Sequence, residues 1–353
     1  MKFKKFKSLN LLKRKRNPLN SRMQKIRLEK NERISSYDNK FLAKIKKNLF
    51  SENISAYPEV EEIYLLLAKH LSVSPDMLVI TAGSDLAIKN CFELFISPGD
   101  EVITLNPTYG MVDVYSKIFQ AKQTKINYDK NLNLDLTKLS KSINKKTNLV
   151  IIANPNSPTG TVIDQKNLLK LIKLCKKFNS YLLIDECYFG YYSKTIIKYV
   201  KSYNNLIISR SLSKIGLAGC RIGYLIASRN TTKMLYKFRP FYEISSFSCL
   251  VFKSILKDKN ILKNYIKETL IGKTFLIENF KRLKIEFFPT NTNFILVKLN
   301  SKKIKNKIIK SFAKKHILVM GEGKLPGGDK ILRITLGPKY YMEKVINVFK
   351  NFY

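Results

Sequence analysis

Between residues 77 and 225 the chain alternates between two hydrophobic rhythms. Five short runs, MLVIT (77–81), EVITL (101–105), NLVIIA (148–153), YLLID (181–185) and NLIIS (205–209), are rich in β-branched residues and almost uninterrupted in their apolar character. A strand covered on both faces has no wet side, so it loses the every-other-residue alternation of a half-buried strand. Between the runs lie segments such as DQKNLLKLIKLCKKF, where apolar residues recur at spacings of three and four, the period of one helix face. Strands alternating with helices predict an α/β fold, a mainly parallel sheet with helices on both faces. Ligands of such sheets settle beyond the carboxyl ends of the strands. The residues just after each run are therefore the ones to read for chemistry.

After the first run, Gly83, Ser84 and Asp85 open an amphipathic segment, AGSDLAIKNCFELF. The free N–H groups and the dipole of a helix start favour an anion there. NPTYG puts Tyr109 on a turn after the second run, and NPNSPTG holds Asn156 and Ser157 in a proline-stiffened loop after the third. Asp185 closes the fourth run, with Tyr188 three residues on. The fifth leads into SRSLSKIGLAGCRIG (209–223), which surrounds Lys214 with Ser211, Ser213, Gly216 and Gly219 and then places Arg221. Taken singly, each has an ordinary explanation: a helix cap for Gly-Ser-Asp, packing for Tyr109, a solvated surface lysine for Lys214. Polar sites at all five strand ends exceed what turn chemistry requires. Hydroxyls donate to phosphate, and a guanidinium grips two of its oxygens at once, which an ammonium does not. A phosphate cradle with one lysine, a carboxylate, a phenol and an aromatic ring suits pyridoxal phosphate. The lysine forms a Schiff base with the aldehyde, and the aspartate keeps the pyridine nitrogen protonated. Once released, the lysine can carry a proton to or from the substrate's α-carbon.

From about Leu28 to Gly337 the chain resembles the class I/II, fold-type I aminotransferases, nearest to the histidinol-phosphate branch. The resemblance is carried by YPE, TAGSD, NPTYGM, NPNSPTG, IDECY, SLSKIGLAGCRIGY, TNFILVKL and LRITLG, in family order. It implies a fold-type I pyridoxal phosphate transferase, with a smaller α+β domain beside the large one. It implies that Lys214 binds the cofactor covalently, Asp185 pairs with its ring nitrogen, Tyr188 meets its phenolic oxygen and Tyr109 stacks on the ring. Ser84, Asp85, Ser211, Ser213 and Arg221 would surround the phosphate, with Tyr57 arriving from a neighbouring subunit. Arg333, in LRITLG, would hold an anionic group of the substrate, with Asn31 on the same side. Where the family often has an asparagine before PTG, this chain has Ser157 preceded by Asn156; either could meet the cofactor, and Asn156 is named first. The implied reaction moves an amino group from a small-molecule donor, L-glutamate, to a small anionic keto or aldehyde acceptor. The implied setting is amino acid biosynthesis in the cytoplasm, by a homodimer with shared active sites.

Two departures fall on the substrate side. HILVMGEGKLPGG has Met320 and Gly321 where the histidinol-phosphate branch carries a second phosphate-binding arginine, with Lys324 as a flexible substitute. KNERIS has Arg33 where the branch has the second asparagine of NEN, which suggests a meeting with a different anion. The expectation is therefore an acceptor other than the keto form of histidinol phosphate. A decarboxylase of a phosphorylated amino acid on the same fold is the alternative, followed by a basic polyanion-binding protein without catalysis.

Composition adds bounds. With 353 residues, 45% of them apolar, the chain can build more than one core. The expected division is a basic arm and part of the small domain over 1–44, a large cofactor domain over 45–245 and a smaller domain over 246–353. The formal charge of +39 is spread along the chain and forms no single stripe, so no specific nucleic-acid partner is expected. The first 28 residues contain no acid and read as a solvated basic arm, with an organellar transit peptide as the alternative. No apolar run is long enough to span a bilayer, so no membrane partner is expected. Five scattered cysteines without a CxxC pair fit reduced thiols in the cytosol. Two histidines far apart, His70 and His316, make a histidine metal site or triad improbable, and no metal is expected.

Overall fold

Successive residues of the buried runs go to opposite faces of one sheet, which is why both faces must be apolar. The computed structural model describes residues 22–323 and 325–353. Its strands are β1 (Ile26–Arg27), β2 (Leu78–Thr81), β3 (Glu101–Asn106), β4 (Lys122–Asn127), β5 (Thr147–Ala153), β6 (Tyr181–Asp185) and β7 (Leu206–Ser211). They continue with β8 (Gly223–Ala227), β9 (Glu286–Phe288), β10 (Phe294–Lys298), β11 (Ile317–Leu318), β12 (Met320–Gly321) and β13 (Ile331–Thr335). The central sheet runs β2-β8-β7-β6-β5-β3-β4. Its ladders are parallel from β4 to β7, while β8 runs antiparallel to both β7 and β2. Ile80, Val150, Ile152, Leu182, Ile184 and Ile208 join one core; Val79, Leu149, Ile151, Leu183 and Ile207 join another on the opposite face.

The five expected runs are all strands, and β7 extends two residues beyond its expected end to Ser211. Two strands of the central sheet carry no such run. The edge strand β4, KQTKIN, buries only Ile126, because an edge position leaves most of its side chains to solvent. β8 is fully buried but follows directly on the glycine-rich lysine loop, which masks it.

A second sheet, β12-β13-β10-β9, is antiparallel. Ile295, Val297, Leu332 and Ile334 pack one of its faces with Leu276 and Phe280, from the long helix Asn260–Arg282. The other face meets the large sheet's side of the molecule, where Phe294, Leu296 and Ile331 cluster with Cys187 and Tyr188. Part of the expected basic arm is not solvated: β1 pairs in parallel with β11, and Leu28 is fully buried. Residues 1–21 lie outside the described residues. Nor does the core change at residue 245, since Phe252 and Ile255 of helix Ser246–Lys257 belong to the core of the central sheet. Among the described residues no helix is long and apolar enough to cross a membrane, and no His/Cys/Asp/Glu group is placed to hold a metal.

Candidate active site

A cavity of about 320 Å³ opens at the carboxyl ends of β2, β5, β6 and β7 and is closed over by Arg333 of β13 and Met320 of β12. A larger hollow of about 650 Å³ lies where β5 and β6 begin, lined by Thr147, Tyr181, Phe95 and Lys177. That is the wrong end of the strands for a ligand of a parallel sheet.

One wall of the cavity is the start of helix Gly83–Phe95. Gly83 has a φ of +83°, and a Cβ there would come within 3.1 Å of Arg221 Nη2. Gly223 backs directly onto it: a Cβ at Gly223 would lie 2.6 Å from the Gly83 carbonyl carbon. Bare backbone thus lets β8 and the helix start close around one spot. Ser211 Oγ donates to Ser213 Oγ at 3.0 Å. Among the described residues Arg221 reaches neutral acceptors, Ser213 Oγ at 3.4 Å and the carbonyls of Ala218 and Ala82 at 3.5 Å. Ser84 and Asp85 complete this wall, Asp85 accepting from the Tyr115 hydroxyl at 2.9 Å.

Asp185 sits at the deep end, 4% exposed. Burial pushes its carboxyl up to about 6, while donation from Ser209 and the charge of Lys214 pull the other way. Ser209 Oγ donates to Asp185 Oδ1 at 2.5 Å, because the β6–β7 register sets the two residues side by side. Lys214 Nζ lies on the cavity wall and donates to the Lys30 carbonyl at 3.1 Å. Its own carbonyl is pinned by the Tyr191 hydroxyl and by Asn293 Nδ2. Tyr188 accepts at its hydroxyl from Asn31 Nδ2 at 3.0 Å. Asn31, at a φ of +56°, is held by Thr335 and Asn293. Tyr109 lines the same cavity, and burial raises its phenol above the ordinary range.

Of the residues expected from the sequence, Lys214, Asp185, Tyr188, Ser84, Asp85, Tyr109, Ser211, Ser213, Arg221, Arg333 and Asn31 meet at this cavity. Asn156 does not. Its amide ties its own loop to the one that follows β3, donating to Thr159 and to the Pro107 carbonyl and accepting from Thr108, and Ser157 lines the cavity instead. Arg33 does not meet an anion there either. Its guanidinium is stacked between the rings of Tyr37 and Tyr265 at 4.1 and 4.3 Å and donates to the carbonyls of Ser35 and Ser36. Tyr57 is 78% exposed, away from this chain's own cavity, with its ring stacked on Tyr242. Lys324 lies outside the described residues.

Three participants escaped the sequence reading. Ser209 stood in plain view as the last residue of its run, but its partner depends on strand register. Glu29 lines the cavity and takes two donations from Arg22. Glu322 pairs with Arg333 at 3.0 Å, a contact nothing local announces.

The family model for aminotransferase class I and II matches residues 19–349. The chain is 32% identical over 329 residues to a histidinol-phosphate aminotransferase of Thermoanaerobacter sp. (strain X514), covering 92% of each. Its fold is similar to that of the histidinol-phosphate aminotransferase of Sinorhizobium meliloti solved in complex with pyridoxal-5'-phosphate. There the TM-score is 0.83 at 22% identity, covering 100% of this chain and 99% of that one. It is also similar to that of the L-threonine-O-3-phosphate decarboxylase of Porphyromonas gingivalis, with a TM-score of 0.78 at 18% identity over 93% of this chain and 99% of that one.

Proposed function

The chain belongs to the class I and II aminotransferases and is a pyridoxal 5'-phosphate-dependent transaminase; from that premise we propose that Lys214 holds the cofactor and moves the proton, in a homodimer with shared cavities. The observation that carries the assignment is that Lys214, Asp185 and Arg221 all line one cavity. The residues fit the cofactor. The space beside Gly83 that a Cβ would fill, together with an arginine bonded only to neutral acceptors, suits a phosphate dianion. The buried carboxylate of Asp185 suits a protonated ring nitrogen.

When bound, pyridoxal phosphate supplies a protonated ring that accepts the electron pair left as a proton leaves the substrate's α-carbon. Asp185, with a carboxyl near 6, is ionised at neutral pH and keeps that ring nitrogen protonated. Ser209 holds the carboxylate in place through Oδ1. Tyr188, oriented by Asn31, would donate its phenolic proton to the cofactor's phenolic oxygen. Lys214 Nζ, on leaving the Lys30 carbonyl, is free to take and return a proton. Arg333 holds an anionic group of the donor, L-glutamate, or of a small keto or aldehyde acceptor. A cytoplasmic setting accords with five free cysteines.

The test is chemical. Borohydride treatment of the yellow loaded enzyme, followed by peptide mapping, is expected to leave the cofactor on Lys214, and L-glutamate is expected to bleach its visible absorbance. A label on another lysine overturns the assignment, and release of carbon dioxide overturns transamination in favour of the decarboxylase.

The shared cavity rests on Tyr57. It lies beside Tyr242 and the 82%-exposed Phe241, and Ser246 Oγ ties the two segments together by donating to the Ala56 carbonyl. Exposed rings grouped in this way call for a cover. Mixing Tyr57→Ala with Lys214→Ala chains is expected to restore part of the activity that each lacks. Full activity of the wild type at dilutions where only monomer survives removes the idea.

A further inference from the structure

We propose that Glu186 is a positioning residue: paired with Arg210 and bonded to Thr195, it staples the loop that carries Tyr188 to the strand that leads to Lys214. This rests on the transaminase reading and adds to it a group outside the cavity. β6 ends at Asp185, and its ladder with β7 runs on for one bond, from the Glu186 N–H to the Ser209 carbonyl at 2.8 Å. Side chains alternate across a sheet, so Asp185 meets Ser209 at the cavity while Glu186 meets Arg210 on the opposite face. There Arg210 Nε and Nη2 both donate to Glu186 Oε2, at 3.0 and 2.7 Å. The two side chains are 7% and 6% exposed.

The same carboxylate holds the far end of the loop. Thr195 Oγ1 lies 2.7 Å from Glu186 Oε1 and 2.8 Å from Oε2, and the Ile196 N–H donates to Oε1 at 3.3 Å. Arg210 Nη2 donates to the Thr195 hydroxyl at 2.9 Å, and its guanidinium lies 4.7 Å from the centre of the Phe189 ring, the neighbour of Tyr188. Residues 187–194 thus form a loop closed at its base by one carboxylate. Within it the Tyr191 N–H donates to the Tyr188 carbonyl at 2.9 Å. The loop also presses on the lysine segment. A Cβ at Gly190 would lie 2.7 Å from Ile215 Cγ2, and the Tyr191 hydroxyl donates to the Lys214 carbonyl at 3.2 Å. An ion pair this deeply buried pays desolvation that its own attraction hardly repays, so stability alone is a poor reason for it. What it secures is where the loop sets Tyr188. Hydrogen bonds weaken steeply as their angle closes, so the use of that phenol depends on this placement.

The experiment uses the enzyme loaded with pyridoxal 5'-phosphate and reads the pH midpoint of its visible absorbance, which reports the proton on the nitrogen that Lys214 shares with the cofactor. A phenol donating to the cofactor's phenolic oxygen stabilises the negative oxygen and lets that proton leave at lower pH. Tyr188→Phe is therefore expected to raise the midpoint by about one pH unit, the scale of one hydrogen bond to a charged group. Thr195→Val keeps the shape at 195 but frees the loop from the carboxylate; it is expected to raise the midpoint by about half a unit, the scale of a neutral hydrogen bond. Thr195→Ser, which restores the hydroxyl, is expected to return it to the wild-type value. Tyr188→Phe with Thr195→Val is expected to match Tyr188→Phe alone, because Thr195 acts through the phenol. Glu186→Gln with Arg210→Met, which removes both buried charges together, is expected to behave as Thr195→Val does. A midpoint unmoved by Thr195→Val, or by the charge-free pair where it folds, overturns the proposal whatever the urea midpoint does. Equal shifts in Thr195→Val and Thr195→Ser overturn it too, as do shifts that add in the Tyr188 double variant. If no visible band forms, or Tyr188→Phe moves nothing, the cofactor reading of the cavity falls first; a shift in Tyr188→Phe with none in Thr195→Val defeats this proposal alone.

Discussion

The two ends of the cavity each present an arginine, and they use it in opposite ways. At the end proposed for the cofactor, Arg221 stands among hydroxyls, bare backbone and a helix start, bonded among the described residues at 3.4–3.5 Å to neutral acceptors. At the end proposed for the substrate, Arg333 is already paired with Glu322 at 3.0 Å and lies against Met320. The first site has its charge available for a dianion. The second has spent most of its charge inside the protein. A guanidinium in a cavity is therefore not in itself a phosphate site; what counts is whether a carboxylate of the chain has already claimed it.

The largest effect that tests this contrast lies at the deep end of the cofactor site. The Asp185 carboxyl is raised to about 6, so in the cofactor-free enzyme the folded state keeps a proton that the unfolded chain loses near pH 4. Native stability accordingly falls as pH rises through that window, and the penalty is complete above about pH 6. Two units correspond to at most about 3 kcal/mol. Cofactor-free Asp185→Asn is expected to resist urea better than the wild type at pH 8, to match it near pH 3.5, and to lose tight cofactor binding. Equal urea midpoints at pH 8 would mean that the buried carboxylate carries no penalty.

Next in size is Arg221→Ala. Loss of a charge-assisted fork of roughly 1.5–3 kcal/mol weakens cofactor affinity about 10- to 150-fold, measured by dialysis and fluorescence titration. The smallest effect is the matching control. Arg333→Ala is expected to leave cofactor affinity within about threefold, since its guanidinium already answers to Glu322. Equal losses from the two arginines would erase the distinction between the ends.

Most of the residues proposed for the cofactor were legible as candidates because they are local to one another. Ser211, Ser213, Lys214 and Arg221 lie within eleven positions of one another, at the end of β7 and in the loop that follows it. Gly83, Ser84 and Asp85 open a helix whose apolar period is plain. The fully covered strands β5, β6 and β7 were readable for the same reason, as their unbroken apolar runs have few other uses. β4 was not, because an edge strand with one buried residue resembles a loop. Asn156 has a type that suits the role, but its amide ties its own loop to the one that follows β3 and does not line the cavity. Arg33 is drawn off in the same manner, its guanidinium lying between the ring of Tyr37, four residues on, and that of Tyr265, from a distant part of the chain.

Residue order alone was thus enough for the α/β alternation, for the placing of polar residues at strand ends and for the chemistry of the lysine loop. These depend on backbone period and on neighbours a few bonds away. Pairings between distant residues came only with folding. The β6–β7 register brings Ser209 to Asp185, 24 positions apart. The β12–β13 register sets Met320 over Arg333, and the turn between those strands carries Glu322 onto its guanidinium. Such pairings set the effective charge of each group, because charge in a buried site is decided by what lies within a few ångströms and not by residue type.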